Sequence, residues 1–569
     1  MDNTSNLSLQ ELKVSLIQDL KNRVDDRILE ESNFLLLEKL INNASDKTEA
    51  IAIAELGTTY KRTGFHFDKK LERLGTTIKY LKRNDELSFS SVNDSDLTHK
   101  LIIGDNYDAL LNLSISHKGK VDIIYIDPPY GKDDMGDFAD TNYNNAITRD
   151  NLLSMLYPRL ILAKQLLTDD GVIICSIDDK NQAYIKCLFD DVFGEFCGNV
   201  ISVETSVIAG TRRVPAMNGS IAKTAEYVLI YKKNGDTKVI KNLMYDYITG
   251  FDKHYSKFLD VKKNNIVQFV DYIKETSEIL SEFKKFNFTV SLDNLGKIVE
   301  VSKKVKNWLY SDEIACHLFR PSEEITIDDS SNQYENYHMY KINGKWFINI
   351  DNHKFLNIFR YKERIGQCDD YYGSFGERQV RGNLWKGFSA DGGNLNKEGG
   401  IDFKQGKKPL RLITQLINAV SDNVNAIILD FFAGSGTTGQ AVLELNRKDG
   451  GKRTFIVCTN NEHTDLYHRG IAYDVTSKRL KRVMTGECYD GNHNFEWIKK
   501  NEPYGGNLEV LDISEVSNIE QREGLSPFDV IDEKLYGQDF TLSVEDKIRW
   551  VCENFAVTQK YLAEPKSEV

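Results

Sequence analysis

The stretch Asn425–Leu445, NAIILDFFAGSGTTGQAVLEL, decides the fold. A short apolar run stops at Asp430, a glycine-rich turn follows, and GQAVLEL then takes up helical spacing. A strand that turns directly into a helix is the repeating unit of a sheet covered by helices. Glycines at such a turn let the backbone approach a ligand closely. The turn reads as unlike both common phosphate loops, without the G-x-G-x-x-G spacing or the G-K-[ST] ending, and the acid ahead of it suits a ligand carrying an ammonium group better than one carrying phosphates. Asp430, Phe431, Phe432, Ala433, Gly434 and Gly436 are therefore candidate binding residues.

On either side the same rhythm continues, with KPLRLITQLINAV (408–420) helical and GKRTFIVCTN (451–460) a strand. A second block of alternation spans 100–232, through KLIIGD, VDIIYID, NLLSMLYPRLILAKQLL, GVIICSID and AEYVLIYKK. Between the blocks, 233–395 is rich in Lys, Asn and Tyr and loses clear periodicity. One sheet split in sequence by an insertion is the simplest reading.

The first block contains Asp127-Pro128-Pro129-Tyr130 directly after the strand VDIIYI, in a chain with only 9 prolines. Ligands of open α/β sheets sit at the carboxyl ends of the strands. Two prolines stiffen the turn and remove two donors, leaving the Asp127 carboxylate and the Pro128 carbonyl as acceptors. Such a corner matches the two protons of an exocyclic amine on a planar heterocycle, and Tyr130 offers a face for the ring to stack on. At this composition the tetrapeptide arises by chance on the order of once in a thousand such chains, so a functional reading is preferred. Asp105, at the end of LIIGD, is placed either to accept from a ligand's amine or to cap the next helix.

Length predicts several domains, at roughly 150 residues each. The net charge of -12 argues against a binder held by bulk positive charge, but 232–306 and 354–411 carry more Lys and Arg than acid, whereas the chain from about 487 onward is acidic. Eight cysteines are scattered with no C-x-x-C pair, which points to neither a disulfide framework nor a zinc site, and no metal is expected. No apolar run approaches a membrane span and the N-terminus has no signal-peptide pattern, so a cytoplasmic location away from membranes is expected. Residues 8–46 open with a capping box, Ser8 and Glu11, and read as a helical hairpin whose leucine stripe packs on the body or on a second copy.

Taken in order, LIIGDNYDAL, DPPY, LYPRLILAKQLLTDDGVIICSIDD, EYVLIYKK, KPLRLITQLI and DFFAGSGTTGQAV resemble the β-class amino-DNA methyltransferases, above all the modification subunits of type III restriction-modification systems. The resemblance covers about 90–233 and 376–482. It implies a Rossmann-like, S-adenosylmethionine-dependent methyltransferase fold with permuted motif order. The implied layout is a helical N-terminal region (1–88), a catalytic half (89–234), a target-recognition insertion (235–395), a cofactor half (396–486) and an acidic C-terminal domain (487–569) with a role in dimerisation.

The implied activity is methyl transfer to the exocyclic amine of adenine in double-stranded DNA after base flipping, by a homodimer that partners a separately encoded restriction subunit. Asp127, Pro128, Pro129 and Tyr130 then fall on the catalytic turn, the 430–436 residues on the cofactor turn, Asp105 on the adenine-contacting acid, and Lys408-Pro409 on the lead into the cofactor half. Many relatives carry an acid after the TFIV strand to hold the ribose; here CTNNEH leaves Asn460 or Glu462 for that role. The alternatives are a cytosine-specific exocyclic-amine enzyme, in which Ser commonly replaces the Asp, and a recognition-only DNA-binding subunit. Arg and Gln in YKERIGQ and GERQVRGNLWKGF are candidate base readers.

Overall fold

The computed structural model describes residues 8–25, 29, 31–56, 77–90, 97–130, 149–209, 213–235, 238–326, 333–351, 354–393, 395–403, 407–464, 466–517 and 526–563. The chain divides into two compact units, 1–68 and 69–569. In the smaller, the expected hairpin gains a third helix: Leu9–Asp25, Glu31–Asn43 and Lys47–Leu56. Leu20, Phe34, Leu37, Ile41 and Ala54 form its core. The capping box closes as expected, with Ser8 N donating to Glu11 Oε2 at 2.8 Å and Glu11 N to Ser8 Oγ at 3.3 Å. The expected leucine stripe is only partly internal, since Leu35, Leu36 and Leu40 are exposed.

The larger unit is built on a ten-stranded sheet. Its strands in chain order are β1 (Thr77–Arg83), β2 (Thr98–Ile103), β3 (Val121–Ile126), β4 (Leu167–Ile177), β5 (Gly198–Glu204), β6 (Ala225–Lys232), β7 (Leu384–Trp385), β8 (Ile427–Asp430), β9 (Thr454–Thr459) and β10 (Asn507–Ser517). Their spatial order is β1-β10-β2-β9-β8-β3-β4-β6-β5-β7. From β10 to β4 the strands run parallel, while β6 is antiparallel to both β4 and β5. The central strands read as unbroken apolar runs because helices cover both faces of a parallel sheet. Ile123, Ile428, Phe455, Val457 and Leu101 accordingly lie in one core. The split inferred from sequence is physical: β8 and β9, from the second block, lie between β2 and β3 of the first.

The region 245–380 folds on separate sheets. One has six strands, the other three, and four short helices between Phe269 and Leu309 pack with them around Phe258, Phe269, Phe283 and Tyr361. Short antiparallel strands joined by polar turns explain why this stretch lacks a legible period.

One boundary needs correction. The acidic stretch from 487 is not a separate domain, because β10 pairs with β2 over 507–512 and with β1 over 511–517. Acidity misled here. Leu508, Val510 and Leu511 face the core, while Glu509 pairs with Lys100 at 2.9 Å and Asp512 accepts from Asn84 at 2.8 Å. Farther on, Tyr536 donates to Asn112 Oδ1 at 2.6 Å and accepts from Leu81 N, docking the C-terminal segment on the helix Asn106–Ser116. Among the described residues, no helix is long and apolar enough to cross a membrane.

Candidate active site

The carboxyl ends of five parallel neighbours, β2, β9, β8, β3 and β4, define one edge of the sheet. In order they deliver Asp105, Asn460, Asp430, Asp127 and Asp178 to it. Register fixes the two turns side by side: Ile428 pairs with Ile123 and Leu429 with Ile124. Asp430 thus sits beside Tyr125, on a strand about 4.8 Å away, with Asp127 two residues farther along.

Around Asp127 the turn is internally braced. Tyr130 donates its hydroxyl to Asp127 Oδ1 at 2.8 Å, and its carbonyl accepts from Asn181 Nδ2 at 2.7 Å. Asn181 is in turn held by Asp178 Oδ1 at 3.0 Å. Lys408 is the unexpected member. Expected beside the cofactor half, it reaches the catalytic corner: its Nζ lies 3.0 Å from Asp127 Oδ1 and 3.5 Å from Glu226 Oε2, bonds the Tyr130 hydroxyl, and sits 4.7 Å from that ring's centre. A long stem between two carboxylates accounts for the placement. Burial pushes the Asp127 carboxyl up, and Lys408 and Tyr130 pull it back. Lys408 stays charged: burial works against the ammonium, but Asp127 and Glu226 outweigh it and raise its pKa. Pro409 caps the helix Leu410–Val420, and its carbonyl accepts from Leu412 N at 3.1 Å.

Asp430 shapes the second turn. Its Oδ1 accepts from Phe432 N at 2.9 Å and its Oδ2 from Thr438 Oγ1 at 2.5 Å, and burial raises its carboxyl to about 7. Phe431 is buried against the half-buried Phe432, with ring centres 5.2 Å apart. Ala433 N donates to Cys458 O at 3.0 Å, while Gly434 and Gly436 both have positive φ, 47° and 76°. Gly439 completes a G-x-G-x-x-G spacing with them that the reading of the turn overlooked. A Cβ there would lie 2.9 Å from Leu480 Cδ2, so this glycine serves close packing of the helix Thr437–Asp449.

Asp105 fills the helix-capping role that was one of its two readings. It caps the helix Asn106–Ser116 through Tyr107 N at 2.7 Å and pairs with Arg159 Nη2 at 2.9 Å, yet its side chain remains 56% exposed. Asn106 donates to Phe431 O at 2.9 Å, tying this turn to the next. Asn460 is exposed directly after β9, whereas Glu462 lies farther along and its carbonyl accepts from Ile471 N.

Sequence reasoning missed Glu226, Arg159, Asn181 and Arg479. Arg479 is fully buried, donating to Gln440 Oε1 at 2.9 Å and Thr437 Oγ1 at 2.6 Å, with Glu398 Oε2 3.4 Å away. An arginine inside an apolar helical run, as in LYPRLILA, is the signal that could have marked Arg159 as a buried clamp, whereas Arg479 stands among the basic residues of SKRLKRVM and gives no such signal. Among the proposed base readers, Arg364 pairs with Glu377 at 3.2 Å and buried Arg381 with Asp246 at 2.7 Å. Both are committed inside the insertion. Gln379 is exposed, and Arg378 lies 3.8 Å over the Tyr245 ring.

An acceptor corner and a glycine turn thus share one edge of the sheet, on neighbouring strands. A family model described as DNA methylase matches residues 121–467, and the chain belongs to that family. A second model, of an uncharacterised conserved protein, matches residues 12–123.

The chain is 27% identical over 449 residues to the Mod subunit of the type III restriction-modification enzyme EcoPI of Escherichia phage P1, covering 71% of this chain and 65% of that protein. It is 28% identical over 442 residues to the StyLTI Mod subunit of Salmonella typhimurium (70% and 59%), and 28% over 449 residues to the type II methyltransferase M.KpnI of Klebsiella pneumoniae (73% and 94%). Of the type III relatives EcoPI, HindVI and StyLTI, the chain spans between about half and two thirds of their own length. Among solved structures, the M1.HpyAVI-SAM complex is similar at TM-score 0.28 and 14% identity, over 67% of this chain and 98% of that one.

Proposed function

We propose that the chain transfers a methyl group from S-adenosylmethionine to the exocyclic amine of adenine in double-stranded DNA, as the modification subunit of a type III system acting as a homodimer with a separate restriction subunit. The observation that carries this reading is the adjacency of Asp127 and Asp430 on neighbouring parallel strands. The donor set fits the cofactor. Asp430, Phe432, Asp105 and Asn460 are acidic, aromatic and amide groups on one edge, suited to a ligand that joins a cationic amino-acid portion to an adenine ring. When bound there, S-adenosylmethionine supplies an electrophilic methyl carried on sulfur.

Residues of this chain do the rest. The target amine is a weak nucleophile because its lone pair is delocalised into the ring. Asp127 and the Pro128 carbonyl accept its protons as positive charge develops on nitrogen, and the proton shed passes toward Asp127. Lys408 sustains the ionised form of Asp127 that this requires. To bond Asp127 Oδ1, the amine must compete with the Tyr130 hydroxyl and Lys408. The insertion 235–395, which has its own core, is the proposed target reader. Leu35, Leu36 and Leu40, exposed on the N-terminal helices, are a proposed part of a subunit contact.

Sequencing of DNA from cells expressing the chain, by a method that detects methyladenine, tests the reading. A short motif modified by the wild type and unmodified with Asp127→Ala is the expected result. Asp127→Ala should still bind S-adenosylmethionine in calorimetry. Methylcytosine in place of methyladenine, or no modification by a wild type that binds the cofactor, overturns the reading.

A further inference from the structure

The segment between β5 and β6 belongs to the same sheet edge but has no part in the chemistry above. β5 and β4 are both antiparallel to β6, so the chain leaves at Glu204 and returns at Ala225 on the edge that holds Asp127 and Asp430. Its base is fastened. Thr205 N and Ser206 N donate to Thr224 O at 3.0 and 3.2 Å, and Ser206 Oγ donates to Lys223 O. Lys223 Nζ lies 3.0 Å from Asp179, just past β4, and 4.0 Å from Glu226, the residue that also holds Lys408. A chain of alternating charges therefore connects the foot of the segment to Asp127.

Its outer part has the opposite character. Val207, Ile208, Val214, Met217 and Ile221 are all exposed, Met217 at 78% and Ile221 at 101%. The sequence TSVIAGTRRVPAMNGSIAKT (205–224) contains Arg212, Arg213 and Lys223 and no acid, in a chain of net charge -12. Exposed apolar side chains on a stretch whose sequence carries basic residues and no acid suit a partner that offers phosphates outside and stacked rings within. Duplex DNA is that partner. Proteins that unstack a base step commonly insert apolar side chains into it.

We propose that the stretch Arg213–Ile221 is a wedge that enters the duplex as the target base leaves it, Met217 and Ile221 taking the space the base vacates. The inference rests on the DNA-methylation reading and assigns that reaction its base-extruding element.

The test uses the full chain and two duplexes carrying the motif found by sequencing, one with the target adenine paired and one with it opposite an abasic site. A Met217→Ala/Ile221→Ala variant should lose about tenfold or more in transfer to the paired duplex and stay within about twofold of wild type on the abasic one, where extrusion costs less. Recovery there also shows that the variant is folded. Equal loss on both duplexes, or no loss on the paired one, overturns the wedge. Loss accompanied by a change of oligomeric state in sedimentation assigns the patch to a second copy and overturns it as well. A wild type that transfers methyl to neither duplex fails the methylation reading itself, and the wedge falls with it.

Discussion

Asp430 combines two properties that bear on ligand binding: it is buried, and its carboxyl is raised to about 7. A cationic ligand favours the ionised form, so binding must release a proton whenever the pH lies below that value. Affinity for S-adenosylmethionine is therefore expected to rise between about pH 6 and pH 7.5, and Asp430→Asn should flatten the rise; calorimetry in buffers of different ionisation enthalpy measures both. In the free protein the sign is reversed. A carboxyl raised in the folded state contributes stability below its ordinary range and loses it as the pH climbs through about 7. At this scale the two turns were legible because Pro, Gly and Asp have restricted reasons to sit at strand ends. Lys408 was legible as a residue but not as a contact, since a four-carbon stem can point to either half of the site.

Among the elements, the glycine turn depends on a side chain that its own sequence does not contain. Arg479, on the helix Lys478–Thr485, bonds Thr437 at the start of the next helix and faces Glu398 across the site. Removing the cation leaves Glu398 with one partner fewer in a poorly hydrated setting. Arg479→Met should lower stability by about 3–5 kcal/mol, read from the urea midpoint, and should weaken cofactor binding while leaving the DPPY turn intact. Close approach also constrains the turn that carries Asp105: at Gly104, φ 149°, a Cβ would lie 2.6 Å from Ile513 Cβ. That contact joins β2 to β10, over 400 residues later, and no local pattern could have disclosed it. Strand and helix identity followed from periodicity; who neighbours whom did not.

For the whole molecule, charge proved a poor guide to boundaries. The acidic C-terminal stretch completes the main sheet, with β10 lying between β1 and β2. A chain ending near residue 505 would expose the edge of β2 and leave β1 without its partner, and open apolar edges associate. Such a truncation is expected to give aggregated protein and little soluble yield, whereas truncation of the small N-terminal unit should leave a soluble, cofactor-binding remainder; size-exclusion chromatography distinguishes them. The alternating blocks and the insertion between them were readable from the sequence, because parallel strands and their helices impose a strong rhythm.

The interleaving of β8 and β9 between β2 and β3 also sets a timetable for synthesis. As the chain leaves the ribosome, β3 and its acceptor corner emerge long before their central neighbour, with the whole insertion translated in between. The nascent first half must wait with its middle open, a long-range closure that is slow and prone to misassembly. Half a sheet is then a hazard to itself, and the insertion is made before the strands that complete the site.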